Sequence, residues 1–241
     1  LYYTDQALEA KVPAEAVLEV GSYTAKLTPT TSCVNYTWSA DVEEVEFEVV
    51  ENAYFDDVAS DAWYADEVAK AKDLEYVDGM GNNLFFPEAE MTRAQFAQVL
   101  YNMANEPEAG AESGTYPTQF SDVESTAWYA KAVSWAVEAG VVNGVSDTEF
   151  EPEGKITREQ IATMLYRYAG NGAQADLAVL DQFADAGSVS DWAETAMAWA
   201  VEEGHMNGRG GDGLQPQGNA TRAEVAALSV RVQPERYTTP A

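Results

Sequence analysis

The sequence predicts a mainly α-helical domain of three helix–loop–helix repeats, preceded by a small β-rich segment. Three observations carry this prediction. A segment of about 40 residues recurs three times in register, each copy contains a helix-starting motif before an apolar stripe, and the N-terminal part alternates like β-strands instead. The fold class is therefore predicted by repetition rather than by any single segment.

Each of the three copies starts at a phenylalanine and ends at a Thr-Arg step. They read FDDVASDAWYADEVAKAKDLEYVDGMGNNLFFPEAEMTRAQ from Phe55, FSDVESTAWYAKAVSWAVEAGVVNGVSDTEFEPEGKITREQ from Phe120 and FADAGSVSDWAETAMAWAVEEGHMNGRGGDGLQPQGNATRAE from Phe183. The Phe-to-Arg spacing is 38 residues in the first two copies and 39 in the third. The predicted bounds are 1–52 for the β-rich segment, 53–108, 118–172 and 181–233 for the repeats, and 234–241 for a tail.

Composition limits the classes of protein and partner. Of the 241 residues 46% are hydrophobic, which suffices for a sizeable core, and no run approaches the roughly 18 apolar residues of a membrane-spanning helix. Thirteen basic against 41 acidic residues give a net charge of −28, which argues against nucleic acid, because its binding requires Lys and Arg that neutralise phosphates. We therefore expect neither nucleic-acid binding nor membrane insertion, and an anionic ligand must be held by local positive features.

The β-rich segment contains two alternating stretches, SYTAKLTPT and VEFEVVE, which are typical of strands. Between them lies NYTWSA, which is similar to the end of bacterial immunoglobulin-like repeats. Two interpretations remain open, namely the last strands of such a domain or a compact β-hairpin packed on the helical part. Because the chain starts at Leu1 inside this unit, we expect it to belong to a longer protein. We interpret the single Cys33, in a strand-like stretch, as a buried structural residue.

The first helix of each repeat is predicted to start near a tryptophan and to carry small apolar residues at helical spacing. Gly140 and Gly204 suit a left-handed C-terminal cap in repeats two and three, whereas Glu75 at that position predicts a different ending in repeat one. Asp-Gly or Asn-Gly pairs follow and predict tight turns in which glycine supplies positive φ angles. The tryptophans are Trp63, Trp128 and Trp192, and the turn glycines are Gly79, Gly144 and Gly208.

The second helix of each repeat is predicted to start at the Thr of the Thr-Arg step. Three residues later comes Gln or Glu, so that the hydroxyl and this side chain form a capping box with the helix amides. Behind it, apolar residues at i, i+3, i+4 and i+7 predict a buried stripe. Since one such helix pair cannot bury its apolar face alone, we expect the three repeats to form one cooperative unit. The capping pairs are Thr92 with Gln95, Thr157 with Gln160, and Thr221 with Glu224.

Capping does not explain the arginine of the step. Arg93, Arg158 and Arg222 follow the capping threonine, at a helix end where a cation is unfavourable by roughly 0.3–1 kcal/mol. Two interpretations remain open. In the structural one, each arginine forms an ion pair with the aspartate of the Phe-x-Asp element in its own or the next repeat. In the functional one, the arginine and the free helix amides together face an anion such as a carboxylate. The aspartates are Asp57, Asp122 and Asp185.

These repeats resemble the S-layer homology (SLH) domain. The stretch WYAKAVSWAVEAGVVNGVSDTEFEPEGKITREQ carries several of its elements in order, and MTRAQ, ITREQ and ATRAE look like its Thr-Arg-Ala-Glu signature. The resemblance covers about Phe55 to Arg231 and implies a pseudo-threefold helical domain without enzymatic activity, extracellular and at the bacterial cell surface or cell wall. It also implies a ligand, secondary cell-wall polysaccharide with pyruvate ketals on N-acetylmannosamine, bound in grooves between the motifs.

Carried over to this sequence, the resemblance assigns roles to the recurring residues. The arginines contact the ketal carboxylate, the threonines shape the helix start, the tryptophans offer a sugar-stacking face, and the glycines let the backbone approach the ligand. Tryptophans at helix starts are also typical of a core, and a tight turn requires glycine without any ligand. Repeat three departs most from the pattern, which predicts a degenerate groove. The candidate ligand-binding residues are Arg93, Arg158, Arg222, Thr92, Thr157, Thr221, Asp57, Asp122, Asp185, Trp63, Trp128, Trp192, Gly79, Gly144 and Gly208.

Other functions have weaker support. His205 replaces Tyr76 and Val141 in the repeat alignment and is interpreted as structural, GRGGDG lacks the Lys-Ser/Thr of a phosphate loop, and DDVASD lacks the spacing of an EF-hand. We expect no cofactor, although so acidic a surface favours non-specific Ca²⁺ association. The expected partner is cell-wall polysaccharide. Packing with other copies in a surface lattice or filament, and peptidoglycan tethering, remain alternatives.

Overall fold

A computed structural model describes residues 54–105, 114–170 and 174–232, together with the backbone of four strands between residues 2 and 49. The chain separates into two compact units, Leu1–Asn52 and Ala53–Ala241. The described part of the second unit is helical, which confirms the predicted fold class, while the bounds given above for the single repeats stay predictions.

The first unit contains two antiparallel strand pairs. Strand β1 (Tyr2–Thr4) pairs with β2 (Ala7–Glu9), and β3 (Gly21–Lys26) pairs with β4 (Glu44–Val49) over six residues. Strands β3 and β4 fall on the two alternating stretches, so their predicted extended conformation is confirmed. The immunoglobulin-like and hairpin interpretations stay predictions, and NYTWSA and Cys33 lie outside the described residues.

Each repeat of the second unit contains two α-helices. The first begins two residues after its tryptophan and the second begins at its Thr-Arg step, as predicted. Two 3-10 helices precede α5: Leu177–Gln182 leads into repeat three, and Ala186–Ser188 lies in the stretch that carries its extra residue. The α-helices of the described residues are α1 (Ala65–Asp73), α2 (Arg93–Met103), α3 (Ala130–Glu138), α4 (Arg158–Tyr168), α5 (Glu194–Glu202) and α6 (Arg222–Arg231).

The first helix is followed by a left-handed residue in all three repeats. Gly140 has a φ angle of 68° and Gly204 one of 70°, and Glu75 adopts the same conformation with 59°. The different ending predicted for repeat one is therefore wrong. A Cβ atom at Gly140 or Gly204 would meet open space, so the cost of a side chain at this position lies in the backbone conformation alone.

The second helices begin with the predicted capping boxes. Gln160 N donates to the Thr157 hydroxyl at 3.3 Å, and Thr157 N donates to Gln160 Oε1 at 3.2 Å. The same reciprocal pair forms at the starts of α2 and α6. The predicted apolar stripe is confirmed as well, because its members in repeat one are all buried. They are Phe96, Val99, Leu100 and Met103.

The repeats form a closed ring, because each second helix packs against the first helix of the following repeat. Helix α2 packs on α3, α4 packs on α5, and α6 returns to α1. At the centre, Met91 N donates to Ala220 O, Ala220 N to Ile156 O, and Ile156 N to Met91 O, each at 3.0 Å. This triangle of backbone hydrogen bonds lies on the pseudo-threefold axis and confirms the predicted arrangement of the repeats.

Candidate functional site

The three arginines of the Thr-Arg steps are buried, and each binds the turn of the following repeat. Arg93 is only 3% exposed, and its Nε donates to Phe150 O at 2.7 Å while its Nη2 donates to Asn143 O at 3.1 Å. Arg158 and Arg222 make the same two bonds to the corresponding carbonyls of repeats three and one. Each guanidinium therefore connects two repeats, and the three connections run around the ring.

Two further features accompany this burial. The Arg93 guanidinium lies 4.7 Å from the centre of the Phe150 ring, and that of Arg222 lies 4.5 Å from the Phe85 ring. Burial lowers the pKa of Arg93, and the nearby carboxylates of Glu151 and Asp122 oppose this shift. Since an arginine stays charged even so, all three charges are held inside the protein by carbonyl dipoles, and those of Arg93 and Arg222 also by aromatic rings.

The aspartates hold the same turns from the other side. Asp122 accepts from Phe150 N at 2.9 Å and from Glu151 N at 2.7 Å, and Asp57 and Asp185 do the same in their repeats. The ion pair predicted between arginine and aspartate does not form in the described residues. Instead, the backbone of Phe150 binds both charged side chains. Its N–H donates to Asp122 and its carbonyl accepts from Arg93 of the preceding repeat.

The amides at the starts of the second helices are already bonded. Arg93 N donates to Gly154 O at 2.9 Å, Ala94 N donates to Pro152 O at 3.0 Å, and the third amide donates to the capping threonine. Helices α4 and α6 repeat this pattern with carbonyls of the next repeat. The interpretation in which free helix amides face an anion is therefore wrong. An anion at this position has the guanidinium nitrogens as its donors.

The turn glycines are required by packing and not by a positive φ angle. A Cβ atom at Gly144 would lie 2.2 Å from Ser146 O, and at Gly79 and Gly208 the closest atom would be in a phenylalanine ring, at 2.7 and 3.2 Å. None of the three has a positive φ angle, so that part of the prediction is wrong. At Gly144 the turn needs glycine whether or not a ligand approaches, whereas at Gly208 the phenylalanine ring would have to move by a few tenths of an ångström.

The three tryptophans are exposed. Trp63, Trp128 and Trp192 keep 59%, 61% and 57% of their surface accessible, so the interpretation as core residues is wrong. Trp63 and Trp128 are held edge-on against the tyrosine that follows each of them. An exposed indole offers a large apolar face at low entropic cost, which is the property that aromatic residues bring to binding surfaces.

The arginines, turn glycines and tryptophans line three grooves, and each groove is lined by residues from all three repeats. In the Arg93 groove, of about 360 Å³, Arg93 comes from repeat one, Gly144 and helix α4 from repeat two, and Trp192 from repeat three. The other two grooves are related to it by the pseudo-threefold axis. The Arg158 groove has a volume of about 410 Å³ and the Arg222 groove one of about 440 Å³. The corresponding residues are Arg158, Gly208 and Trp63 in the Arg158 groove, and Arg222, Gly79 and Trp128 in the Arg222 groove.

The remaining predicted residues lie beside or behind the grooves. Thr221 lines the Arg158 groove and Thr92 lines the Arg222 groove, whereas the aspartates bind the turns from behind and are not among the residues that line these three grooves. The degenerate groove predicted for repeat three stays a prediction. Its turn and helix α6 line the Arg158 groove, which is as large as the others.

Three arginines outside the Thr-Arg steps also line the grooves. Arg167 lies in the Arg93 groove, and Arg209 and Arg231 lie in the Arg158 groove, so that every arginine of the described residues lines a groove. Their place in the grooves was not predicted, although two of them recur at a fixed distance from the Thr-Arg step. Arg167 and Arg231 each follow the arginine of the step by nine residues, where repeat one has Asn102.

Three remaining features are metals, membranes and the histidine His205, which is buried and also lines the Arg158 groove. Among the described residues, no three His, Cys, Asp or Glu side chains are grouped so that they could hold a metal ion. Within the same ranges, no helix combines the length and the apolar character needed to cross a membrane. His205 is buried with its ring 5.0 Å from that of Trp199, which supports its structural interpretation.

The fold and grooves together define a closed three-repeat helical module with arginine- and tryptophan-lined grooves. The family model of the S-layer homology domain matches residues 54–97, 119–162 and 182–226, which is more than half of the chain. The chain therefore belongs to the S-layer homology domain family. This membership confirms the resemblance of the three repeats.

Relatives of known name match the same part of the chain. It is 33% identical over 177 residues to an amylopullulanase of Thermoanaerobacterium thermosulfurigenes, 32% over 187 to the surface-layer 125 kDa protein of Lysinibacillus sphaericus, and 28% over 160 to a cellulosome-anchoring protein of Acetivibrio thermocellus. These matches cover 72%, 76% and 64% of the chain but only 9%, 15% and 34% of the relatives. The shared part is the S-layer homology region, and with the surface-layer relatives it indicates a location at the cell surface or cell wall.

Proposed function

We propose that this chain anchors a bacterial surface protein non-covalently to the cell wall, by binding secondary cell-wall polysaccharide with an acidic sugar such as a pyruvate ketal. The observation that carries the proposal is that each groove joins a guanidinium to an exposed tryptophan. The similarity to a surface-layer protein and to a cellulosome-anchoring protein supports the same function.

The chemistry of the grooves fits an acidic sugar. A guanidinium binds a carboxylate through charge-assisted hydrogen bonds, and an indole packs on the apolar face of a sugar ring. In Arg93 and Arg222, Nε and Nη2 bind carbonyls, whereas Nη1 has no acceptor within the described ranges and remains for a ligand. Because a net charge of −28 repels a polyanion, binding must come from these local donors.

Packing between copies in a surface lattice or filament is the competing function class. It would use the same exposed tryptophans, but every copy carries the same charge of −28, which opposes close contact of like surfaces. We therefore favour the polysaccharide, and the experiment below separates the two, as well as a peptidoglycan tether.

The test is sedimentation of the chain with purified cell-wall sacculi, with and without the pyruvylated polymer. The variant replaces Trp63, Trp128 and Trp192 by alanine, because these side chains are exposed and their loss leaves the core intact. A matched control, Leu74→Ala with Leu177→Ala, removes exposed apolar residues that do not line the three grooves.

We expect the natural chain and the control to sediment only with sacculi that carry the polymer, and the tryptophan variant to remain in solution. If the folded tryptophan variant sediments like the natural chain, the proposed function is wrong. Sedimentation with bare sacculi would favour the peptidoglycan tether, and concentration-dependent sedimentation without walls would favour packing between copies.

A further inference from the structure

We infer that the three grooves differ in ligand preference, and that the Arg93 groove is the anion-selective one, with Arg167 as its second binding guanidinium. This inference rests on the proposed function for the class of ligand. The choice among the grooves comes from the charges that line each of them.

In the Arg93 groove two guanidinium groups meet at one residue. Arg93 Nη2 donates to Asn143 O at 3.1 Å, and Arg167 Nη2 lies 3.2 Å from the side-chain amide of Asn143, whose oxygen accepts from it when the amide is turned toward the guanidinium. No carboxylate lines this groove within the described ranges, and neither arginine forms an ion pair within 4.0 Å there. Burial lowers the pKa of Arg167, and no carboxylate opposes that shift.

Two like charges facing one groove repel each other, and their desolvation is unfavourable without a counter-charge. An anion between them would replace the missing carboxylate and accept hydrogen bonds from both. Trp192, 57% exposed, borders the same groove and offers its indole to the sugar that carries the anion. The groove therefore selects a sugar with an acidic substituent over a neutral one.

The Arg158 groove contains more arginines, but its charges are compensated. Glu224 Oε1 lies 3.3 Å from Arg158 Nη1 and 3.2 Å from Arg209 Nε, so that a carboxylate of the chain already lies between these two guanidinium groups. Arg231 pairs with Glu67 at 3.2 Å. A ligand carboxylate here would have to compete with Glu224 for the same donors.

The Arg222 groove has one guanidinium and two carboxylates. Asp78 and Glu153 line it together with Arg222, and Asn102 stands where the Arg93 groove has Arg167. An anion would gain one charge-assisted contact and meet the carboxylate of Glu153, while the second carboxylate, Asp78, is paired with Lys72. This groove therefore suits a neutral part of the polymer better than an acidic substituent.

Arg167 also allows binding to be separated from folding. Arg93 is buried and connects two repeats, so its removal damages the fold along with any binding. Arg167 is half-buried near the end of α4, and among the described residues its side chain contacts Asn143 of its own repeat and forms no ion pair with another repeat. Arg167→Gln therefore removes the second cation and leaves the connection made by Arg93 in place.

The experiment is an NMR titration of the indole N–H signals, which reports each groove through its own tryptophan. The probes are the methyl glycoside of N-acetylmannosamine with a pyruvate ketal and the same sugar without it. Trp192 reports the Arg93 groove, Trp63 the Arg158 groove and Trp128 the Arg222 groove. The variants are Arg167→Gln and Arg167→Lys, and the Trp63 and Trp128 signals of the same variants serve as internal controls for the other two grooves.

We expect the ketal sugar to shift Trp192 at a concentration about 10-fold lower than the other two indoles, and Arg167→Gln to remove this advantage. Arg167→Lys restores part of it because the charge returns without the planar fork, and the Trp63 and Trp128 titrations stay unchanged in both variants. If the ketal sugar shifts all three indoles equally, or if Arg167→Gln leaves Trp192 unaffected, the inference is wrong while the proposed function stands. If neither sugar shifts any of the three, the proposed function fails.

Discussion

At the scale of single residues, Thr92 and Arg93 have separate physical roles in the recurring step. The threonine starts its helix by capping, whereas the arginine donates to two carbonyls of the following repeat. A lysine at this position would supply the charge but not the planar arrangement of donors that reaches both carbonyls. The recurrence of arginine is therefore explained by the connection between repeats as well as by the nitrogen left facing the groove.

Glu75 is a single residue in an unfavourable conformation. Its φ angle of 59° is left-handed, where the equivalent positions have Gly140 and Gly204. Glu75→Gly is expected to raise the free energy of unfolding by about 1 kcal/mol, because glycine adopts this conformation without strain. Urea denaturation measures the change. Glu75→Ala is the control, since alanine keeps the strain, and an equal gain in both variants would show that the conformation is not the cause.

At the scale of elements, the helices were predictable because their signals are local. A capping box, an apolar stripe and a cap glycine each lie within a few residues. The capping box marked the start of each second helix, and the glycine marked the end of the first helix in repeats two and three. The local sequence around the tryptophans left two interpretations open, a core position and an exposed stacking face, because an apolar residue at a helix start is compatible with both. Only the groove formed with another repeat shows why such a side chain stays at the surface.

The turn held by Asp185 has a stability that depends on pH. Hydrogen bonds from Leu214 N, at 2.6 Å, and from Gln215 N, at 2.7 Å, lower the pKa of Asp185. A carboxyl with a lowered folded-state pKa stabilises the fold above its unfolded pKa, about 3.9, and this contribution disappears as the pH falls through the folded value.

Asp185→Asn is therefore expected to lower the free energy of unfolding at pH 7 by about 1 kcal/mol, a value reduced from that of a buried charged bond because the group is partly solvated. The difference from the natural chain should shrink as the pH falls below about 4. Urea denaturation at several pH values measures it. A difference that stays constant down to pH 2 would contradict the role of the carboxylate charge.

At the scale of the whole molecule, the grooves could not be predicted from any one repeat. The sequence places Arg93, Gly79 and Trp63 in a single copy, yet each contributes to a different groove. This exchange follows from the ring, in which every second helix packs on the next repeat. Residue types and their spacing were sufficient to name the candidates, but only the packing of the three copies shows which of them meet.

Because the ring is closed, damage at one connection should weaken all three repeats together. Arg93→Ala leaves the buried carbonyl of Phe150 and the partly buried carbonyl of Asn143 without a donor, and it is expected to lower the free energy of unfolding by roughly 2–4 kcal/mol. We expect the midpoint of urea unfolding to shift by the same amount when it is measured at Trp135 in repeat two and at Trp199 in repeat three. Arg93→Lys should also destabilise, since it keeps the charge but not the paired donors. An unchanged transition at Trp199 would show that the repeats unfold independently.

The triangle of hydrogen bonds among Met91, Ile156 and Ala220 has no first and no last member. An open array of repeats needs special caps at its ends, and it can grow by one copy at a time. A three-membered circuit has no such ends and no place for a fourth copy. A circularly permuted chain that begins with repeat two and ends with repeat one would keep the contacts between repeats described above. The order of the repeats along the chain can therefore change while the grooves stay the same.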